Sequence, residues 1–400
     1  MNSKRTDSVL FNIWKEGPIA RGKLSALMNL NLPTISYLVN DLLHSGEIVE
    51  VGYALSTGGR KAQLLDVNPD FGRVIAVEFS SKGITSGTAD LKGRIYNERF
   101  DSFSPRDGKN LALEVIYRAI ESQIGFIRRD RPQEAKKIGV GISGLVDEDR
   151  GISVGFPRFD EWVDVPLKEL LEKKFGISTI VENHICATTL AENIFGKYKE
   201  FRHMLYFHLG PGLGLGIIIN GTVYKGSKFN VGEFGHTSIV ENGPICYCGN
   251  YGCLETLASD YALIGQAEAA LREGVKSRIS DLIEGDKGLT AHAIFSAAAD
   301  GDRLAYQIVE KAGQYLGTGI ANLINILAPE VLILGGTMAD AGGELLIQPI
   351  CRTLKSKALQ RLEKDIRIER SSFGNQEGII GAATLALYHY YSNRQSREVS

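Results

Sequence analysis

Between Gly232 and Glu255 the chain places His236, Cys246, Cys248 and Cys253 in the pattern His-x9-Cys-x-Cys-x4-Cys. One imidazole and three thiolates form the ligand set of a closed, tetrahedral structural Zn2+ site, with no position left for a substrate. Such a site constrains folding strongly, because a short stretch must turn back on one point. Gly249 and Gly252 lie among the thiols, where tight turns are needed. Scattered buried cysteines are the alternative. Three of the five cysteines fall within eight residues, and the opening MNSKRTDSVLFNIWKEG lacks the apolar core of a secretory signal. A reduced, cytoplasmic metal site is therefore expected.

Glu233 and Glu255 flank the same segment. A metal-pinned loop can hold two carboxylates rigidly toward the hydroxyls of a sugar; two solvated surface residues are the plainer reading. The 400 residues exceed one typical domain, and 44% hydrophobic with 23% charged content is that of an ordinary globular chain. A formal net charge of −2 removes any global electrostatic case for nucleic acid or membrane. No apolar run approaches the roughly 20 residues of a membrane span, so no membrane insertion is expected.

Residues 3–16 carry Val9, Leu10, Ile13 and Trp14 at helical spacing, stopped by Gly17-Pro18. A second helix over 21–28 is expected to bury Leu24 and Leu27. Asn31 then caps a third helix with Pro33 in its first turn. Its apolar face would be Ile35, Leu38, Val39 and Leu42, leaving Thr34, Ser36, Tyr37 and Asn40 exposed. Strands over 48–51 and 63–67 follow, joined by Thr57-Gly58-Gly59-Arg60-Lys61. Three short helices and a glycine-basic turn suit a winged helix-turn-helix over 1–68, with Arg60 and Lys61 in the wing. Charge helps little: residues 1–68 hold seven cations and six anions. A three-helix protein-interaction module remains the alternative.

After Asn68-Pro69 and Gly72 a strand meander (74–79, 87–90, 94–100) leads into a helix over 109–128 with Leu111, Val115, Ile116 and Ile120 inward, then a strand at 137–143. The meander recurs at 203–209, 214–219 and 222–225, around the hairpin turn Asn220-Gly221. A meander plus helices occurring twice suits a two-lobed α/β body. A helix over 305–327 carries Gly313, Gly317 and Gly319 for close packing; a strand ending in Gly335-Gly336 and a last helix over 376–391 complete the chain.

Gly232-Glu233-x-Gly235-His236, followed by Cys246-x-Cys248-Gly249-x-x-Gly252-Cys253-Leu254-Glu255, resembles the signature of the ROK family of bacterial sugar kinases and sugar-responsive repressors. The resemblance extends over about 72–390. It implies an actin-like (ribonuclease H-like) body behind the winged helix, with 72–183 plus 372–400 as first lobe and 184–371 as second. It also implies a sugar or sugar-phosphate effector contacted by Asn183, Glu233, His236 and Glu255. Pro18-Ile19 and Thr34-Ile35-Ser36 match the winged helix of the family's repressors, which implies a double-stranded DNA operator read by a homodimer or homotetramer. Some such repressors are instead sequestered by a transporter protein.

The family's kinases differ at three places. Their first phosphate loop, Asp-x-Gly-Gly-Thr, corresponds to Glu78-Phe79-Ser80-Ser81-Lys82; their second, Gly-Thr-Gly-x-Gly, to Gly210-Pro211-Gly212-Leu213-Gly214; and their Glu-Asn-Asp to Glu182-Asn183-His184. Lost glycines and a proline remove close backbone donors to phosphate, and the general-base carboxylate is replaced. No catalytic residue is expected. Phe156-Pro157-Arg158-Phe159 stands where sugar-binding members have Pro-Asn-Leu; Arg158 either meets an anionic group or fills the site through a salt bridge. His184 is either an effector contact or a packed cap residue.

Overall fold

The computed structural model describes residues 2–54, 61–130, 135–227, 231–283 and 288–392. The chain divides into two compact units, 1–194 with 378–400, and 195–377. The second unit thus begins at Phe195, the last residue of the helix that starts at His184.

The first unit opens with α1 (Asn2–Glu16), β1 (Ile19–Ala20), α2 (Arg21–Met28) and α3 (Leu32–His44), then β2 (Ile48–Tyr53) and β3 (Gln63–Val67). The Asn31 side chain accepts the Thr34 N–H, and Pro33 occupies the first turn of α3, where its missing donor costs little. Ile35, Leu38, Val39 and Leu42 are buried together with Val9, Leu10 and Ile13 of α1. Leu24 joins this core, but Leu27 is 52% exposed. Three helical residues turn through about 300°, so Leu27 faces some 60° away from Leu24. The three strands are ordered β1-β3-β2. Ile19 pairs with Leu65. That pairing makes the sheet three-stranded, where the sequence suggested a hairpin. Lys61 is exposed ahead of β3; Arg60 and the rest of the turn at 57–59 lie outside the described residues.

The linker Asn68–Gly72 is pinned. Arg73, 5% exposed, donates to the Pro69 and Gly72 carbonyls and pairs with Asp70 and Asp130. The body follows as β4 (Arg73–Ser80), β5 (Gly83–Asp90), β6 (Ile95–Ser102), α4 (Lys109–Asp130), β7 (Ala135–Ile142), β8 (Leu145–Asp147), β9 (Ile152–Gly155), β10 (Val163–Val165), α5 (Leu167–Phe175), β11 (Thr179–Asn183) and α6 (His184–Phe195). The main sheet runs β11-β7-β4-β5-β6. In α4 the buried positions are Ala112, Val115, Ile116, Ala119, Ile120, Gln123 and Ile127. That register sets Leu111 about 100° off the inward face, and it is 40% exposed.

The second unit contains β12 (Met204–Leu209), β13 (Leu213–Ile219), β14 (Thr222–Val223), α7 (Leu254–Ala258), α8 (Asp260–Arg272), α9 (Ala291–Ala299), α10 (Arg303–Leu327), β15 (Val331–Gly335), α11 (Thr337–Lys357), α12 (Gln360–Asp365) and β16 (Arg367–Arg370). Its sheet order is β14-β13-β12-β15-β16. In both units an antiparallel three-strand meander is extended by two parallel strands, so the topology is duplicated. Asn220 and Gly221 both adopt positive φ (56° and 74°), as a two-residue hairpin turn demands. Gly313 and Gly317 seat α10 against α11, where an added Cβ would meet Pro349 Cγ at 2.6 Å and the Ile350 carbonyl at 2.7 Å. The chain then returns to the first unit as α13 (Glu377–Ser392).

Candidate metal centre and ligand-binding residues

Between β14 and α7 the chain forms the loop expected to bind metal. Its turns are closed by backbone bonds Cys246 N–H to Asn250 O, Gly249 N–H to Cys246 O and Gly252 N–H to Pro244 O. Gly249 and Gly252 hold φ of 89° and 64°, and a Cβ on Gly252 would strike the Val240 carbonyl. The ligand atoms of His236, Cys246, Cys248 and Cys253 all lie within 4.8 Å of one another. A tetrahedron with Zn–S of about 2.3 Å has an S···S edge of about 3.8 Å. Cys248 Sγ lies 3.8 Å from Cys253 Sγ, and Cys246 Sγ lies 3.4 Å from His236 Nδ1. The donor set and its spacing fit zinc.

The thiols differ without metal. Burial, then bonding with Cys248 and Cys246, pushes Cys253 up to about 12. Burial also raises Cys246, whereas the Asn250 backbone N–H lowers Cys248. His236 turns Nδ1 to the thiols and Nε2 outward, 3.0 Å from the Tyr247 hydroxyl and 3.8 Å from Glu233 Oε2. One ring can therefore serve metal and ligand through different nitrogens. The Tyr247 contact was not foreseen; its place between two ligand cysteines was the only available signal.

Glu255 sits on α7 just behind Cys253 and is 7% exposed. Its Oε2 accepts the Leu213 N–H at 3.1 Å, and Gly212 approaches so closely that a Cβ there would also lie 3.1 Å from Oε2. One backbone donor of the Gly210–Gly214 turn is thus spent on a carboxylate. Glu233, exposed, lies within electrostatic reach of it. Desolvation raises its pKa, His236 opposes this, and Glu255 adds to it. The second unit therefore brings Glu233 within electrostatic reach of both His236 and Glu255, with Gly212 against the Glu255 carboxylate.

The remaining expected ligand residues lie in the first unit. Asn183 ends β11 and caps α6: Oδ1 accepts from Ile185 and Cys186, and Nδ2 donates to Gly144 O. His184 is the half-buried first residue of α6. Phe156 and Phe159 are buried against Phe79 and Trp162, whose indole N–H reaches Ser153 Oγ. They anchor the loop that holds Arg158 exposed, at φ 61°. At the β4–β5 turn, Ser80 Oγ accepts the Lys82 N–H and bonds the Gly83 carbonyl. In the head, Tyr37 and Asn40 are exposed, and Thr34 and Ser36 half-buried, on one side of α3.

A winged helix joined to a duplicated actin-like body with a His/Cys3 cluster defines a class of bacterial transcriptional regulator. Residues 82–389 match the ROK family, and the chain belongs to it. It is 30% identical to a xylose repressor of Caldicellulosiruptor bescii over 95% of this chain and 94% of that protein. Among solved structures, a ROK family transcriptional regulator homologous to the E. coli Mlc protein superposes with a TM-score of 0.84 and 26% identity, covering 99% of this chain and 98% of that one. A ROK family glucokinase from Streptomyces griseus, in complex with glucose and AMPPNP, gives 0.70 and 28%, covering 79% of this chain and 99% of that one.

Proposed function

We propose that this protein represses carbohydrate-utilisation genes as a homodimer and leaves its operator when an uncharged monosaccharide binds near Glu233, His236 and Glu255. The observation carrying this reading is one chain that joins an α3 with a polar outer face to a body with two carboxylates beside a His/Cys3 cluster. The charge of that region supports a neutral effector over a sugar phosphate. Two carboxylates and a zinc bound to three thiolates and a neutral imidazole are all anionic, and a phosphate dianion would be repelled. Paired carboxylates are good acceptors for vicinal hydroxyls. D-Xylose is the first sugar to try, given the repressor relative named for it.

The DNA side rests on Thr34, Ser36, Tyr37 and Asn40 of α3 at base edges or phosphates, with Lys61 and Arg60 on the backbone. Structural zinc, held by His236, Cys246, Cys248 and Cys253, braces the loop that carries Glu233 and leads to Glu255. Phosphoryl transfer is not part of this reading. Ser80 bonds within the first phosphate turn, Pro211 interrupts the second, and the Leu213 N–H is committed to Glu255.

The test is thermal unfolding of zinc-loaded protein with D-xylose, D-glucose, N-acetylglucosamine and their phosphate esters, each with and without ATP. A sugar at a hundred times its Kd adds about 2.7 kcal/mol, a shift on the order of 3 °C for a chain of this length unfolding as one. Stabilisation by esters alone would overturn the neutral-effector reading, and sugar-dependent ATP consumption would restore the kinase. A second reading, control by a protein such as a transporter domain, is favoured by Ile245, Tyr247 and Tyr251, which are 68%, 54% and 55% exposed on the metal loop. Silence across the whole panel selects it.

A further inference from the structure

We infer that α3 reads A·T base pairs, with the Asn40 amide on adenine and the side chains of Leu32 and Tyr37 on thymine methyl groups. This rests on the regulatory reading above and names what its DNA-binding face recognises. The sequence of α3, LPTISYLVNDLLH, contains no lysine or arginine. Guanine is most often read by an arginine or lysine that donates to O6 and N7 in the major groove, and α3 has neither. The cations described in the head sit on other elements. Lys23 is exposed on α2, Lys61 is exposed ahead of β3, and Arg21 of α2 pairs with Glu50 of β2 at 3.4 Å. Lysines so placed can hold phosphates, which positions a protein on the duplex without reading its sequence.

The outer face of α3 has a different chemistry. At about 100° per residue, Pro33, Tyr37 and Asn40 fall within roughly 60° of one another, opposite the buried Ile35, Leu38, Val39 and Leu42. Leu32 and Ser36 continue the row of Asn40 at four-residue spacing. Leu32 and Tyr37 are 50% and 56% exposed, so two large side chains with little polarity stand open to solvent in the first half of the helix. Recognition helices bring their N-terminal residues to base edges, and the apolar group a base pair shows in the major groove is the C5 methyl of thymine. Asn40 is exposed, and among the described residues its amide has no hydrogen-bond partner. An amide carries a donor and an acceptor side by side, the complement of adenine N7 and its N6 amino group. Asn31 is engaged otherwise, since its Oδ1 accepts the Thr34 N–H at 2.9 Å to cap the helix. Asp41, whose carboxylate could accept from cytosine, is turned about 100° from Asn40, and His44 lies in the last turn. The hydroxyls of Thr34 and Ser36 suit either base pair and do not set the choice.

The test is selection of duplexes from a randomised pool by full-length, zinc-loaded protein, followed by base analogues in the selected sequence. Replacing a single thymine by deoxyuracil removes only the methyl group. At the position under Leu32 or Tyr37 it should weaken binding about fourfold, and Leu32→Ala or Tyr37→Ala should erase that dependence. Replacing a single adenine by 7-deazaadenine removes only the N7 acceptor; it should cost about tenfold in the wild type and nothing further in Asn40→Ala. Asn40→Arg should move the selected base at that position from adenine to guanine. All three side chains are exposed, so the variants should keep the wild-type melting temperature. Sequence-selective binding in which the position altered by Asn40→Arg is guanine or cytosine for the wild type overturns the inference and leaves the regulatory reading standing. So does selective binding that is indifferent to every methyl deletion. A dimer lost on Leu32→Ala with base preference unchanged would make the apolar surface a protein contact and also overturn it. Enrichment of no duplex removes the DNA-binding reading and this inference together.

Discussion

Replacing Cys248 by alanine separates the metal's contribution from the protein's own packing. Cys248 is the exposed member of the cluster, while Cys246 and Cys253 are buried. Removing its sulfur uncovers almost no apolar surface, so in metal-free protein the substitution should cost under about 0.5 kcal/mol. With zinc it removes one of four ligands. At free zinc buffered to a thousand times the wild-type Kd, the bound ion contributes about 4.1 kcal/mol, nearly all of which the variant should lose. Cys253→Ala is the control. Cys253 is fully buried at the start of α7, so its loss should cost roughly 1 kcal/mol even in chelator. Urea titrations of wild type and both variants, in zinc buffer and in chelator, with metal content measured on each, give the comparison. An equal cost for Cys248→Ala in the two buffers, or unchanged zinc content, refutes the assignment. The thiol pKa directions add a sign. Cys253, pushed up to about 12, and the raised Cys246 hold protons that zinc must displace, so affinity should rise with pH through neutrality.

Chelation should also abolish stabilisation by sugar, read as a lost thermal shift on sugar addition. Gly232→Ala should destabilise by more than about 2 kcal/mol, because φ is 90° and a Cβ would lie 1.7 Å from the Leu215 carbonyl oxygen; an unchanged urea midpoint would contradict the geometry. Asp302 caps α10 through Ala305 N–H and also accepts Arg278 N–H and Ser277 Oγ–H. Asp302→Ala should cost about 3 kcal/mol by urea titration. Burial pulls the Asp302 pKa upward, but those bonds prevail and lower it. Its stabilisation is therefore complete above the unfolded carboxylate pKa near 3.9 and fades as pH falls through the lower folded value; a wild-type advantage over Asp302→Ala that grows on acidification would refute this. Tyr37→Ala and Asn40→Ala, on exposed positions of α3, should weaken operator binding about tenfold without moving the melting temperature. Lys61→Ala should instead lower the salt dependence of binding by about one unit of slope.

What could be read in the chain beforehand was what local chemistry dictates. The duplicated topology was visible because each meander alternates its side chains and the second carries Asn220-Gly221, a turn few other residue pairs can make. The α3 face and its Asn31 cap were equally plain, since both depend on neighbours within four residues. Leu27 and Leu111 show where such reading stops. Each is apolar at near-helical spacing, and its side of the helix depends on which neighbour the helix meets. The same holds for α13. A last helix over 376–391 was expected, but the grip on Glu377, the glycines under Ala382 and the stack of Tyr391 on Trp14 join residues far apart in sequence. In the site, the clustering of His236, Cys246, Cys248 and Cys253 was legible and their orientation was not: no spacing rule says which nitrogen of His236 faces the thiols.

That orientation links the metal to the proposed effector site. His236 Nδ1 is the nitrogen beside Cys246 Sγ, and Nε2 faces Tyr247 and Glu233. A neutral imidazole that gives Nδ1 to a cation must carry its proton on Nε2. Metal loading thus selects one tautomer and makes Nε2–H a fixed donor beside two carboxylate acceptors. A sugar hydroxyl both donates and accepts, so an array of one donor with Glu233 and Glu255 matches it better than three acceptors would. Without metal the ring is free to take the other tautomer, and Nε2 then becomes a third acceptor. Loss of zinc should therefore weaken sugar binding even where the loop keeps its shape.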